Sequence, residues 1–264
     1  MKLKHISLLT FAVAVAVAAC SSTDSALATR HASAGAFSSL HVSGSLKVEL
    51  RQVPDSAGNV IIEATDRAMA HVHVHNSDGT LTVGYDSDKG RANYAREVKR
   101  VVAYCDRDMR QITLSGSGMV KSDGLRTAGD ITAVVTGSGM VALDRVDCRN
   151  FTGSLAGSGM LALDDIKARN VSTSCSGSGM VKVAGVNAAA FNCTVSGSGM
   201  GRVSGSASKI SLALRGSGMV DASGLAAQSV NVSCSGSGMV KFDKSAPNVK
   251  IVSGRQTSPG IVSR

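Results

Sequence analysis

The chain has 264 residues with 29 Gly, 3 Pro, no Trp and a formal charge of +9, which excludes a collagen-like or a low-hydrophobicity disordered chain and leaves room for one or two domains. Hydrophobic content is 43% but aromatic content only 3%, so the stacking platforms that hold sugars or single-stranded nucleic acid are nearly absent.

Lys2 and Lys4 precede an apolar run from Ile6 to Ala19 that is too short to span a bilayer and has the anatomy of an export signal over residues 1–19. The run ends Val17-Ala18-Ala19-Cys20, which resembles the lipobox of bacterial lipoproteins, where the cysteine sulfur receives a diacylglyceryl group before cleavage. The plainer reading is an ordinary signal followed by a chance cysteine. Lipid on Cys20 would anchor the protein to a membrane, and Ser21 in place of Asp favours the outer membrane. Residues 20–35 then read as the lipidated cysteine and a flexible polar tether. Without Lys2 and Lys4 the balance is near +7. A basic exported protein meets anionic envelope polysaccharide or another envelope protein as its partner. The scattered basic residues and missing aromatics argue against nucleic acid.

Residues 36–110 alternate apolar and polar residues in Phe37–Leu50, Asn59–Thr65, Ala70–His75, Leu81–Tyr85 and Val98–Tyr104. Turn signals lie at Pro54-Asp55, Ser77-Asp78-Gly79 and Asp86–Gly90, so the expectation is irregular β coils that cap and continue a stack. From residue 111 to 250 a repeat takes over. Gly-Ser-Gly-Met begins at Gly116, Gly137, Gly157, Gly177, Gly197, Gly216 and Gly236, at spacings of 19 to 21. That period belongs to solenoids.

Aligned on the first glycine, the residue six before is Arg110, Ile131, Phe151, Val171, Phe191, Ile210 or Val230, and the residue two before is Leu114, Val135, Leu155, Cys175, Val195, Leu214 or Cys234. With a smaller, mostly apolar file between them, the segment has period two and is a strand. Alternation resumes after the corner with Val120, Val141, Leu161, Val181, Val220 and Val240. The fold class expected is all-β: a single-stranded parallel β-helix of about 20 residues per coil and about seven rungs, preceded by irregular β coils. Each coil has two strands, a Gly corner and a looser turn such as Leu163-Asp164-Asp165-Ile166, with the corner serines able to form a hydrogen-bonded ladder. Residues 251–264 read as a tail.

The export signal, the Phe37-x-x-Leu40-x-Val42-x-Gly44 strand, the Leu81-Thr82-Val83 strand and the Ser-Gly-Ser-Gly repeats together resemble the head GIN domain family of auto-transporter adhesins over about residues 36–245. The resemblance implies an exported, right-handed β-helix with an adhesive or envelope role and no established catalytic residues. Two departures stand out. The chain ends without the long alternating strands of a translocator barrel, and Met occupies the place after Gly-Ser-Gly where the family commonly has Asp or another polar residue.

Met119, Met140, Met160, Met180, Met200, Met219 and Met239 precede the inward Val file by one residue, so alternation aims them outward as a contact stripe for a partner or for self-association. Their other readings are core filler, if the corner rotates them inward, and soft-metal or oxidant handling. His71, His73 and His75 share one strand face, a spacing that can supply metal ligands. A solvated strand face is the plainer reading. Asp123, Asp144 and Asp164 follow their corners by seven residues and form a candidate carboxylate ladder for a hard cation, or simply turn residues. The same carboxylates are the best a polysaccharide-processing enzyme could offer, with no flanking Arg or aromatic substrate contacts. Five cysteines remain after Cys20. Cys175 and Cys234 share a file three rungs apart, out of disulfide reach, and all five read as small hydrophobes. No cofactor is implied. The leading expectation is a lipid-anchored, non-enzymatic β-helix presenting a repetitive surface, with a polysaccharide-processing enzyme and metal or oxidant handling as alternatives.

Overall fold

The computed structural model describes residues 27–85, 96–243, 248–253 and 261–263. The expected export signal and Cys20 lie outside them. The chain forms a β-solenoid of about 7 turns with roughly 20 residues per turn. Period-two alternation makes every second side chain of each coil point to one axis, and parallel stacking turns those positions into buried files. Ile131, Phe151, Val171 and Phe191 form one such file, and Val135, Leu155, Cys175 and Val195 another. Val120, Val141, Leu161 and Val181 line the opposite wall. The core runs unbroken from Phe37 to Phe242.

Each coil carries a third strand that alternation did not reveal. Leu125–Arg126, Val146–Asp147 and the segments beginning at Ile166 and Val186 stack in parallel across the looser turn. One inward residue per coil, Leu125, Val146, Ile166 or Val186, closes the core on that side. A two-residue strand contributes a single apolar position, too few for a period to register.

The N-terminal part is capped in an order the sequence does not announce. Its strands are β1 (Leu27–Ser33), β2 (Ser39–Gly44), β3 (Lys47–Gln52), β4 (Asn59–Thr65), β5 (Val72–Ser77), β6 (Thr80–Tyr85) and β7 (Val98–Cys105), with the short helix α1 (Asp66–Met69) after β4. The coil formed by β2 and β3 stacks directly on the first regular coil, Gly44 against Gly116 and Lys47 against Met119. On its other side lie β6 and β7, so these later strands sit outside the earlier ones. Beyond them, antiparallel β5 covers β6, antiparallel β4 covers β7, and β1 in turn pairs antiparallel with β4. Reversing strand direction and adding the Thr65-capped α1 ends the parallel stack.

Three expectations change. Residues 27–33, read as tether, form β1, held by main-chain pairing to β4 and by the Arg30 guanidinium donating to the Val72 carbonyl at 2.8 Å. Their side chains add no buried apolar residue, so the hydrophobic pattern carried no signal. The segment 248–253 extends the stack past residue 250 by pairing with Ser229–Cys234, and 261–263 pairs with Val240–Phe242. Arg110, aligned with the inward file, is exposed, and Met109 fills the core in its place.

Candidate functional site

The Gly-Ser-Gly corner fixes the surface. Its first glycine has a φ of about +103 to +119° in all seven coils, a region that disfavours any side chain. The main chain then bonds straight down the stack. In one coil Ser178 N and Gly179 N both donate to the Gly157 carbonyl at 3.1 and 2.9 Å, and Met180 N donates to the Gly159 carbonyl at 3.0 Å. A Cβ on Gly179 would lie 2.6 Å from that Gly159 oxygen. The corner serines point outward and are exposed from Ser117 to Ser237. The ladder expected of their hydroxyls is therefore carried by the main chain.

This corner delivers the methionines. Met119, Met140, Met160, Met180, Met200, Met219 and Met239 pair in register on consecutive rungs, with Lys47 below Met119. Each is half-buried in the outward file beside its inward Val, Leu or Gly neighbour. They are not core filler. Two residues on, the next outward file reads Glu49, Lys121, Ala142, Ala162, Lys182, Arg202, Asp221 and Lys241.

The candidate aspartates form the border of this face. Asp144 N donates to the Ser122 carbonyl and Asp164 N to the Leu143 carbonyl, which places Asp123, Asp144 and Asp164 on successive rungs. Lysines answer them. Lys121 Nζ is 3.3 Å from Asp123 and 3.9 Å from Asp144, and Lys182 Nζ is 3.2 Å from Asp164. The aspartates are held in exposed ion pairs within and between rungs, and among the described residues no group of three His, Cys, Asp or Glu side chains is gathered as for a metal ion. The histidines do not converge either. His71 precedes β5 and packs its ring against Tyr85 at 6.1 Å, whereas His73 and His75 stand exposed opposite Gly84 and Thr82.

The other long face carries Thr132, Thr152, Ser172, Asn192 and Ser211 in one outward file, uncharged. The short third face has an open hollow of about 300 Å³ lined by Gln52, Leu125, Arg126, Arg145, Asp147 and Lys167. Its charged groups hold coils together. Arg126 Nε lies 3.5 Å from Asp147, and Arg145 Nε donates to the Asp123 carbonyl.

Two polar devices were not visible in the sequence. Gln52 donates to the Arg126 carbonyl and accepts from Arg126 N, each at 2.8 Å, so its side-chain amide stands in for the strand that the coil below Leu125–Arg126 lacks. Asn170 donates to Asn150 at 2.7 Å and Asn150 to Asp130 at 2.9 Å, a three-rung ladder at the strand entry. A recurrent Asn or Asp seven before the corner was the available signal for it. The five cysteines are buried free thiols. Burial pushes Cys105 up to about 12 and Cys148 and Cys193 up to about 11.

A parallel solenoid whose corners are invariant and whose outward files are continuous is a repeat protein that presents an extended surface. The sequence matches the family model described as "Putative auto-transporter adhesin, head GIN domain" over residues 36–164 and again over 154–251. The chain belongs to this family. Three solved structures are similar in fold. A putative adhesin from Parabacteroides merdae is 14% identical with a TM-score of 0.71, covering 90% of this chain and 95% of its own. A putative adhesin from Bacteroides fragilis is 20% identical with a TM-score of 0.65, covering 91% and 98%. A putative lipid binding protein from Parabacteroides distasonis is 19% identical with a TM-score of 0.66, covering 90% and 94%. No curated protein is significantly similar in sequence.

Proposed function

We propose that this protein is a lipid-anchored, non-catalytic adhesin of the bacterial envelope, held through Cys20 at the outer membrane, which uses its methionine file for repeated weak contacts with a surface partner. Family membership supports the adhesive, envelope-associated role. One observation carries the rest. Corner glycines recur because nothing larger fits, and inward positions drift among Val, Leu, Ile, Phe and Cys as packing allows. The outward file two residues beyond Met drifts freely among Lys, Ala, Arg and Asp. Besides the small corner Ser, Met is the residue constant in seven of seven coils at an outward position, and it is the large apolar one, where no steric demand fixes it.

The contact works by multiplicity. Methionine is apolar and adaptable and suits surfaces that accept irregular partners, and linked weak contacts on a rigid support add up to avidity. Six residues lie between Cys20 and the start of β1, so the seven steps from Cys20 to Leu27 span at most about 25 Å when fully extended. Acylation at Cys20 therefore holds the capped end of the stack close to the bilayer, with the regular coils leading away from it.

The test has two arms in cells that display the protein. C20S should move it from the membrane to the soluble fraction. M140S/M180S/M219S should keep the fold by circular dichroism yet reduce retention of cells on host or abiotic surfaces by more than about tenfold, as expected when linked contacts are lost. Retention equal to wild type in a folded triple variant overturns the contact reading.

A further inference from the structure

The methionine file has a chemistry that its apolar character does not exhaust. Thioether sulfur is a soft donor that selects Cu(I) among the metals an exported protein meets. Adjacent rungs of a parallel stack are about 4.8 Å apart, close to twice a metal–sulfur bond of about 2.3 Å. Two methionines in register on consecutive rungs, each with three rotatable side-chain bonds, can thus grip one ion from opposite sides with little rearrangement. The carboxylates of Asp123, Asp144 and Asp164 also stack, but lysines pair with them, and among the described residues no three His, Cys, Asp or Glu side chains gather. The thioethers are the ligating type that the corner ladder brings into register.

The neighbouring outward file decides which rungs suit a cation. Met119, Met180, Met200 and Met239 each have Lys121, Lys182, Arg202 or Lys241 two residues on, a like charge on the same rung. Met140 and Met160 have Ala142 and Ala162 there, followed by the carboxylates of Asp144 and Asp164. Lys121 reaches Asp144 only at 3.9 Å, and Lys182 turns from the next rung to Asp164 at 3.2 Å. Met219 has Asp221 there but is flanked by the rungs of Arg202 and Lys241, so Met140 and Met160 are the consecutive pair with no cation at that position on either rung, and charge placement of this kind discriminates between otherwise equal sites.

We propose that Met140 and Met160 form a soft-metal site that holds one monovalent d¹⁰ cation, Cu(I) or its redox-stable analogue Ag(I), between their two sulfurs. The site shares with the adhesive reading the outward direction of the file, and it requires no partner. Other adjacent pairs fill only at higher metal concentration.

The test is isothermal titration of the purified full-length protein in detergent with silver nitrate in chloride-free buffer. M140L/M160L keeps every cysteine and histidine and nearly the same apolar volume, and should bind the first equivalent at least about tenfold more weakly. M200L/M239L should keep it. X-ray absorption of the wild-type protein at one silver per chain should show sulfur neighbours. An isotherm unchanged in M140L/M160L, or lost equally in M200L/M239L, or a first shell of nitrogen or oxygen, overturns the site. Because Leu preserves the apolar file, none of these results bears on the contact reading, which the Met→Ser variants test separately.

Discussion

The corner ladder makes a quantitative prediction, because its glycines separate two costs that usually come together. Gly179 has no left-handed requirement, but a Cβ there would meet the Gly159 carbonyl at 2.6 Å and Leu155 Cδ2 at 2.7 Å. Backbone on the coil below cannot yield without loosening the Met180 N to Gly159 bond and the paired bonds to Gly157. Three weakened ladder bonds at about 1 kcal/mol each and overpacking of about 1–3 kcal/mol give roughly 4–6 kcal/mol for G179A. Gly44 is the converse, with a φ of +81° and nothing within 4 Å of the added atom, so G44A should cost only the strain, about 1–3 kcal/mol. Gly177 combines a φ of +111° with a contact at 2.6 Å to the Gly157 carbonyl. G177A should be the most damaging of the three. Gly129, at ordinary φ with Thr127 Oγ1 3.6 Å away, should accept Ala with no loss. Thermal unfolding followed by circular dichroism orders the set, with a shift on the order of 10 °C for G179A at about 2–4 °C per kcal/mol. G179A melting within a degree or two of G129A, or G44A below G177A, would refute the ladder argument.

Two further outcomes follow from the buried thiols and the amide ladder. Burial raises the Cys105, Cys148 and Cys193 thiols to about 11–12, so the folded state keeps protons that the unfolded chain releases first. Stability should be intact below the ordinary thiol range and decline as pH climbs from about 9 towards 11–12, and native protein at pH 8 should resist iodoacetamide by mass spectrometry until denaturant is added. Rapid native alkylation of Cys193 would contradict its burial. N150A removes both the bond to Asp130 and the one from Asn170 and should cost about 1 kcal/mol in denaturant unfolding, since both groups are exposed to competing water. N187A, on the third face away from this ladder, is the matched control and should be neutral.

Much of the regular half was readable because its constraint is local and repeated. A twenty-residue period, two alternating stretches and a double-glycine corner fix register by themselves, since a slip of one residue would turn every inward Val, Leu and Phe out to water. The direction of the methionines came from the same argument: Met140 precedes Val141, Val141 is buried, so Met140 faces out. The metal-ligand readings of the histidines and aspartates turned on a quantity that spacing does not contain, namely what else shares the face. Asp123, Asp144 and Asp164 do stack. Lys121 and Lys182 reach them first.

The order of the N-terminal coils was not readable, and the reason lies in the files themselves. Leu40 pairs with Leu81 on one side and with Ile112 on the other, and Val42 with Val83 and with Leu114. Every one of these residues would satisfy the same inward position, so alternation predicts that such segments stack yet is indifferent to which lies above which. Direction of pairing is hidden likewise, since β4 offers Val60, Ile62 and Ala64 to the core whether it runs with β7 or against it. What selects the observed order is the end of the stack. A parallel coil at that end would expose a further edge, whereas the antiparallel β4 and β5, with α1 beside them, cover it. The cap therefore has to depart from the repeat, and a reading by repetition is blind at the place where repetition must stop.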